Sequence, residues 1–296
     1  MELTNALIKI IYCPLCGSDK QEPFLECKDY TVSNECFNIV TCQCCNFKFT
    51  NPRPTDECIG NYYKSEDYIS HSDSSQGLTN KLYHLVRKVT LKNKLKLING
   101  YVSRGTILDY GCGTGAFIQK CSIAGWKAFG FEPDNDARKI ALEKGLAVYN
   151  NKDSLLGNIF DIISLWHVLE HLTDLNETLT FINERLSKNG HLIIAVPNHI
   201  SYDANIYKEF WAGYDVPRHI YHFEATTIEK LLRKFGFILV ETKPMKFDSY
   251  YVSLLSEKNK TGSTKYFSAF LNGVVSNLKA GKAINYSSVI YIFKKA

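Results

Sequence analysis

Long apolar runs are missing from this 296-residue chain. No stretch approaches the roughly 18 consecutive apolar residues that a membrane-crossing helix needs, so no membrane span is expected. A concentrated basic surface is missing too. The net charge of +5 is mild for this length; it permits an anionic partner but falls short of the clustered basicity of a dedicated nucleic-acid binder. The first residues carry an acid, Glu2, and no small-residue cleavage pattern, so no secretory leader is expected and a cytoplasmic location is. Internal repeats and low-complexity tracts are absent. Cysteine all but disappears after Cys58, with only Cys112 and Cys121 beyond it.

The remaining eight cysteines fall in the first 58 residues. A disulfide scaffold fits poorly with a reducing compartment, and metal binding is the better account. Cys13-Pro-Leu-Cys16-Gly17 and Cys42-Gln-Cys44-Cys45-Asn46 are two C-x₂-C knuckles. Each can put two thiolates on one tetrahedral ion, with Gly17 or Asn46 turning the chain behind it. Cys44 competes with Cys45, but the Cys42/Cys45 pair keeps the spacing. Four thiolates favour structural zinc, because a closed Cys₄ site leaves no open position for chemistry.

With 45% hydrophobic residues the chain can bury a sizeable core, and its length suggests one large domain with an appendage. The expected division is a zinc-ribbon module over 1–54, a linker and helix over 55–98, and a main domain over 99–296 with an insertion around 198–224. From residue 105 strands and helices alternate. Strands are expected at Thr106–Tyr110, Lys127–Phe131, Leu146–Tyr149, Phe160–Trp166, His191–Val196, Phe237–Glu241 and Ser288–Phe293. Helices between them start at caps such as Asp134 and Thr226 and stop at Gly125, Gly145, Gly190 and Gly236. Tyr250–Leu255 reads as a further strand and Tyr266–Leu278 as an amphipathic helix. Such alternation predicts an α/β, Rossmann-like fold with a parallel sheet covered on both faces.

Asp109-x-Gly111-x-Gly113-x-Gly115 follows an apolar strand and opens a helix, where glycines let a ligand approach the backbone. The glycines alone suit several nucleotide cofactors. A carboxylate at Asp109 disfavours a pyrophosphate and favours a sulfonium or ammonium. Glu132, ending the next strand, is placed to accept both ribose hydroxyls.

ILDYGCGTGAF, FGFEPD and FDIISLWHVLEHLTD resemble motifs of class I S-adenosylmethionine (SAM)-dependent methyltransferases. The branch is the one containing ubiquinone-biosynthesis-type enzymes and methyltransferase domain 23. The resemblance covers roughly residues 100–245. It implies a seven-stranded sheet with a reversed last hairpin, Asp109, Gly111 and Gly113 at the methionine end, and Trp166 and His167 beside the sulfonium. It also puts Asn151 near adenine, although NNKDSL departs from the commoner glycine-aspartate pair there. Among methyltransferases that the chain resembles, N-terminal zinc ribbons occur in deoxysugar C-methyltransferases and in a group of ribosomal RNA methyltransferases.

Methyl transfer asks the protein to position an acceptor and remove its proton. His167, Glu170 and His171 follow the fourth strand. A denser cluster, Trp211 to His222, holds Asp215, Arg218, His219, Tyr221 and His222. His219 or His222 is the expected general base, because imidazole titrates near neutrality. Tyr221 is a further catalytic candidate, and Arg218 is expected to clamp a phosphate or carboxylate. Tyr62, Tyr63 and Tyr68 can form a lid, with Tyr68 against the cofactor, or can join the ribbon to the core.

No Asn/Asp-Pro-Pro-aromatic tetrapeptide follows the fourth strand, which favours transfer to oxygen or carbon of a polar or anionic small molecule. A sugar, nucleotide-sugar, quinone-like ring or secondary-metabolite intermediate is expected. The alternatives are an RNA methyltransferase gripping phosphates with lysine-rich helices such as Lys88–Lys96, and a non-catalytic interaction protein.

Overall fold

The computed structural model describes residues 6–63, 78–281 and 284–296; Tyr68 lies outside them. The chain begins with β1 (Leu7–Ile8), β2 (Gln21–Lys28), β3 (Cys36–Cys42), β4 (Lys48–Thr50) and β5 (Arg53–Pro54). After α1 (Leu78–Asn99) it alternates through β6 (Thr106–Tyr110), α2 (Ala116–Ile123), β7 (Lys127–Phe131), α3 (Asn135–Glu143), β8 (Ala147–Tyr149) and β9 (Phe160–Trp166). Next come α4 (Leu175–Arg185), β10 (Leu186–Pro197), α5 (Tyr202–Tyr207), β11 (Tyr221–His222), α6 (Ala225–Lys234) and β12 (Phe237–Pro244). Two helices, α7 (Asp248–Thr261) and α8 (Tyr266–Lys279), precede the last strand, β13 (Ser288–Lys295).

Seven strands form the main sheet in the order β12-β13-β10-β9-β6-β7-β8. The pairs among β6 to β10 are parallel, while β13 runs antiparallel to both β10 and β12. That is the seven-stranded sheet with a reversed last hairpin. The strand β6 is buried from Ile107 to Tyr110, as a central strand covered on both faces must be. Its register sets Asp109 opposite Gly130 on one side and Ser164 on the other. Asp134 caps α3, accepting from the Ala137 N–H at 2.8 Å. At α6 a capping box of Glu224 and Thr227 does this work in place of Thr226.

The segment expected as a strand at Tyr250–Leu255 is the middle of α7. Its Tyr, Tyr and Val favour strands locally. However, Ser249, Ser253, Ser256 and Glu257 are buried at helical spacing, and Tyr250 packs against Gly273 of α8. Small residues permit that close helix pairing, and tertiary contact outweighs propensity.

The N-terminal strands form a second sheet, ordered β11-β4-β3-β2. Its fourth strand comes from far along the chain: Tyr221 pairs with Phe49 and His222 with Lys48. Leu15, Phe47 and Phe49 of the ribbon share one core with Tyr221, Phe223, Leu169 and Ile182. Among the described residues no helix is long and apolar enough to cross a membrane.

Candidate functional site

The turn after β6 is shaped by positive φ at Gly111 (75°) and Gly113 (54°). A side chain at Gly111 would collide with Val168, whose Cγ2 would lie 2.5 Å from the added Cβ. Gly113 meets nothing within 4 Å, so its outer face is open. The Gly113 N–H donates to Glu132 Oε2 at 2.7 Å and the Asp134 N–H to Glu132 Oε1 at 3.0 Å. Burial foremost raises the Glu132 pKa, and the two amides oppose it. The acid is therefore pre-aimed across the glycine turn, where ribose hydroxyls can exchange with the backbone amide.

Asp109 is buried and accepts from Ser164 Oγ at 2.7 Å. Burial is the largest influence on it and pushes its pKa up to about 7. Lys94 of α1 stands nearby with its ammonium 4.3 Å from the centre of the Trp166 ring. Trp166 Nε1 is buried without a partner among the described residues. Asn151 is exposed, and its Oδ1 accepts from the Asp153 N–H at 2.9 Å in the turn beyond β8.

His167 has a φ of 57° and sits between two carboxylates, Glu170 Oε1 at 3.2 Å and Asp248 Oδ2 at 3.0 Å. Burial alone would lower its pKa; Asp248 and Glu170 outweigh burial and raise it to about 10. It is an imidazolium at neutral pH. His167 and Asp248 open onto a cavity of about 650 Å³, floored by His171 and His219. Its walls come from Tyr30 of the ribbon, from Trp211 and Tyr214, and from Tyr251 on α7.

His171 Nδ1 lies 3.0 Å from the Arg218 carbonyl and His219 Nδ1 lies 2.9 Å from the Gly213 carbonyl. A carbonyl only accepts, so both Nδ1 atoms carry hydrogen. The rings stand edge to face, 4.5 Å apart. Burial foremost, then His219, lowers the His171 pKa to about 4. One ligand-type atom from each of Glu170, His171 and His219 lies within 4.8 Å of the other two.

Tyr221 and His222 face the ribbon and are not part of the cavity wall. Tyr221 stacks on Phe47 at 5.8 Å. His222 is buried and donates through Nε2 to Thr50 Oγ1 at 3.1 Å, while the Thr50 hydroxyl donates to the His219 carbonyl. Burial holds the His222 pKa well below its ordinary value. Arg218, expected to clamp a ligand anion, is spent on the protein's own carboxylates. It is fully buried, paired twice with Asp215 and once with Asp29, and donates to the Tyr62 carbonyl. Tyr63 sets its hydroxyl 2.9 Å from His171 Nδ1. The roles of Asp29, Tyr30, Lys94 and Asp248 had no local sequence signal, since each acts through partners distant in the chain.

At the ribbon, Cys13 Sγ is 3.6 Å from Cys45 Sγ and Cys16 Sγ is 3.5 Å from Cys42 Sγ. A tetrahedral ion with sulfur arms of 2.3 Å sets its sulfurs roughly 3.8 Å apart, so the four thiols fit a zinc ion. The knuckles match: Gly17 N–H donates to the Cys13 carbonyl and Asn46 N–H to the Cys42 carbonyl, both at 2.9 Å. Gly17 and Asn46 both take positive φ. Cys44 points away, within 3.1 Å of Ser18 Oγ.

A methyltransferase-domain family matches residues 83–242, just over half of the chain, and the chain belongs to that family. It is 32% identical over 101 residues to an uncharacterised methyltransferase of Bacillus cytotoxicus, a match covering 31% of this chain and 47% of the relative. The chain thus spans about half the length of the curated relatives it matches. Its fold is similar to magnesium protoporphyrin IX methyltransferase from Synechocystis PCC 6803, solved with SAH bound (15% identity, TM-score 0.54, 81% of this chain and 100% of that one). A SAM-dependent methyltransferase from Archaeoglobus fulgidus is also similar (20% identity, TM-score 0.50, 71% and 94% covered).

Proposed function

We propose that the chain is a SAM-dependent methyltransferase that moves a methyl group onto an oxygen or carbon of a polar, ring-shaped small molecule. A sugar or nucleotide-sugar suits the aromatic walls best. The observation that carries this reading is the Glu132 carboxylate held on the Gly113 N–H beside an open glycine turn. Glu132 and the cavity-lining His167 both follow the carboxyl ends of parallel strands of the main sheet, β7 and β9. In this reading Asp109, Gly111, Gly113, Glu132, Asn151 and Trp166 hold the cofactor. The cofactor, when bound, supplies the electrophilic methyl group, and the chain's own residues hold it in place. His219 Nε2 takes the acceptor's proton and His167, locked as a cation, favours the negative charge that develops. Zinc at Cys13, Cys16, Cys42 and Cys45 is structural.

Titration calorimetry tests the cofactor. SAM is expected to bind and NAD is not; binding of NAD alone would reject the proposal. Glu132→Ala removes two charge-assisted acceptors, each worth about 1.5–3 kcal/mol, so SAM affinity should fall about 100-fold or more. A near-normal affinity in that variant removes Glu132 from the ribose role.

Asp109 adds a pH dependence. In the free protein its pKa is about 7, and a bound sulfonium and ammonium favour the carboxylate, lowering the pKa in the complex. Affinity is therefore complete above pH 7 and weakens as pH falls through 7, by up to about tenfold per unit. Calorimetry at pH 8, 7 and 6 should show this slope in the wild type and a flatter profile in Asp109→Asn. An equal slope in both assigns the effect elsewhere.

A further inference from the structure

Helix α8 is amphipathic in the wrong direction for a soluble surface. Its polar residues face inward at i, i+4 and i+8: Ser268 Oγ donates to Glu257, Asn272 Nδ2 to the Tyr207 hydroxyl, and Ser276 Oγ to Asp203. Ala269 and Gly273 complete that inner face. The apolar residues Phe267, Phe270, Leu271 and Leu278 fall at i, i+3, i+4 and i+11, one stripe on the opposite side. They are exposed, Phe267 by 77% and Leu278 by 76%. An exposed apolar ridge of this kind marks an interaction surface.

The surrounding charge is of one sign. Between Asp248 and Gly281 the lysines Lys258, Lys260, Lys265 and Lys279 are all exposed; Lys258 also lines the cavity and Lys279 lies over the Tyr202 ring, which leaves Lys260 and Lys265 to carry the basic flank. The acids of that stretch, Asp248 and Glu257, are turned inward, onto His167 and onto Tyr207 and Ser268. We propose that the outer stripe of α8 docks on an anionic membrane surface, with the aromatic and leucine side chains at the acyl boundary and the lysines among lipid phosphates. Interfacial helices bind by this pairing of buried apolar area with basic flanks. A second copy of the chain fits less well, because a two-fold interface would bring the same lysines against one another. The neighbouring α7 carries Tyr251 and Leu255 in the cavity wall, so this face lies one helix away from the acceptor.

The test is sedimentation of the full chain with vesicles of 30% phosphatidylglycerol in phosphatidylcholine, against pure phosphatidylcholine. Binding is expected to the anionic vesicles and to fall steeply with added salt. Phe267→Ser with Phe270→Ser should weaken it about 100-fold, and Lys260→Glu with Lys265→Glu by at least about fivefold per lysine. Phe270 also stacks on Tyr250 at 5.6 Å, so Phe267→Ser alone, at a side chain 77% exposed, is the fold control: its melting temperature and SAM binding should stay unchanged while anionic-vesicle binding falls. No binding to the anionic vesicles, or equal binding by the phenylalanine double variant, overturns the proposal. So does a concentration-dependent dimer by light scattering that the double variant dissolves, since that outcome gives the face to a second copy.

Discussion

Replacing Cys13 and Cys16 with serine is expected to strip the metal and collapse the N-terminal module, ending turnover. Structural zinc contributes about 10–16 kcal/mol of binding free energy to a small site, which rivals the whole stability of a typical domain at about 5–15 kcal/mol. Little else holds the knuckles. Beyond their thiols they are tied by backbone turns and by Leu15, Phe47 and Phe49 in the shared core. The effect should spread because Thr50, at the end of β4, anchors both the His219 carbonyl and the His222 ring. Metal analysis should find about one zinc in the wild type and none in the double variant, with a lowered melting temperature. The SAM site is built on the main sheet, so its affinity should survive wherever the variant remains folded. A metal-free wild type with unchanged melting would defeat the zinc assignment.

His219→Gln should lower turnover by about 10²–10⁴, the range that a positioned general base contributes, while SAM affinity stays within about twofold. The argument is geometric. The Gly213 carbonyl accepts the hydrogen bond from Nδ1, Nε2 lies 3.9 Å from Asp215 Oδ2, and the residue lines the cavity. His222→Gln should instead act through stability, because that ring is buried against Thr50 and Tyr214. Methyl transfer from labelled SAM to a panel of nucleotide-sugars would read both variants. If His219→Gln keeps full turnover while His222→Gln loses it without a change in melting, the base assignment must move.

The glycine turn and its acidic partner were legible in the sequence because they are local. Strand, glycine turn and helix are continuous from Thr106 to Ile123, and Glu132 ends the adjacent strand. The Trp211–His222 segment was legible only as a cluster of polar and aromatic residues. Arg218 looked like an anion clamp because one of the two carboxylates that consume it, Asp29, lies 189 residues away. Asp248, which fixes the charge of His167, is separated from it by 81 residues. Neither spacing leaves a periodic trace. The error over Tyr250–Leu255 has a related cause, since the inward face of α7 is made of serines that only a neighbouring helix reveals as buried.

The pairing of Tyr221 with Phe49 means that the seam visible in the sequence near residue 54 is not a seam in space. The ribbon lends three strands to a sheet whose fourth, Tyr221–His222, ends the loop that begins at Trp211. If that loop sets the substrate preference as proposed, its end at Tyr221 and His222 is tied to the surface of β4. The ribbon and the residues around His219 are thus a single heritable unit, and recombination that divides them would separate a floor from its wall.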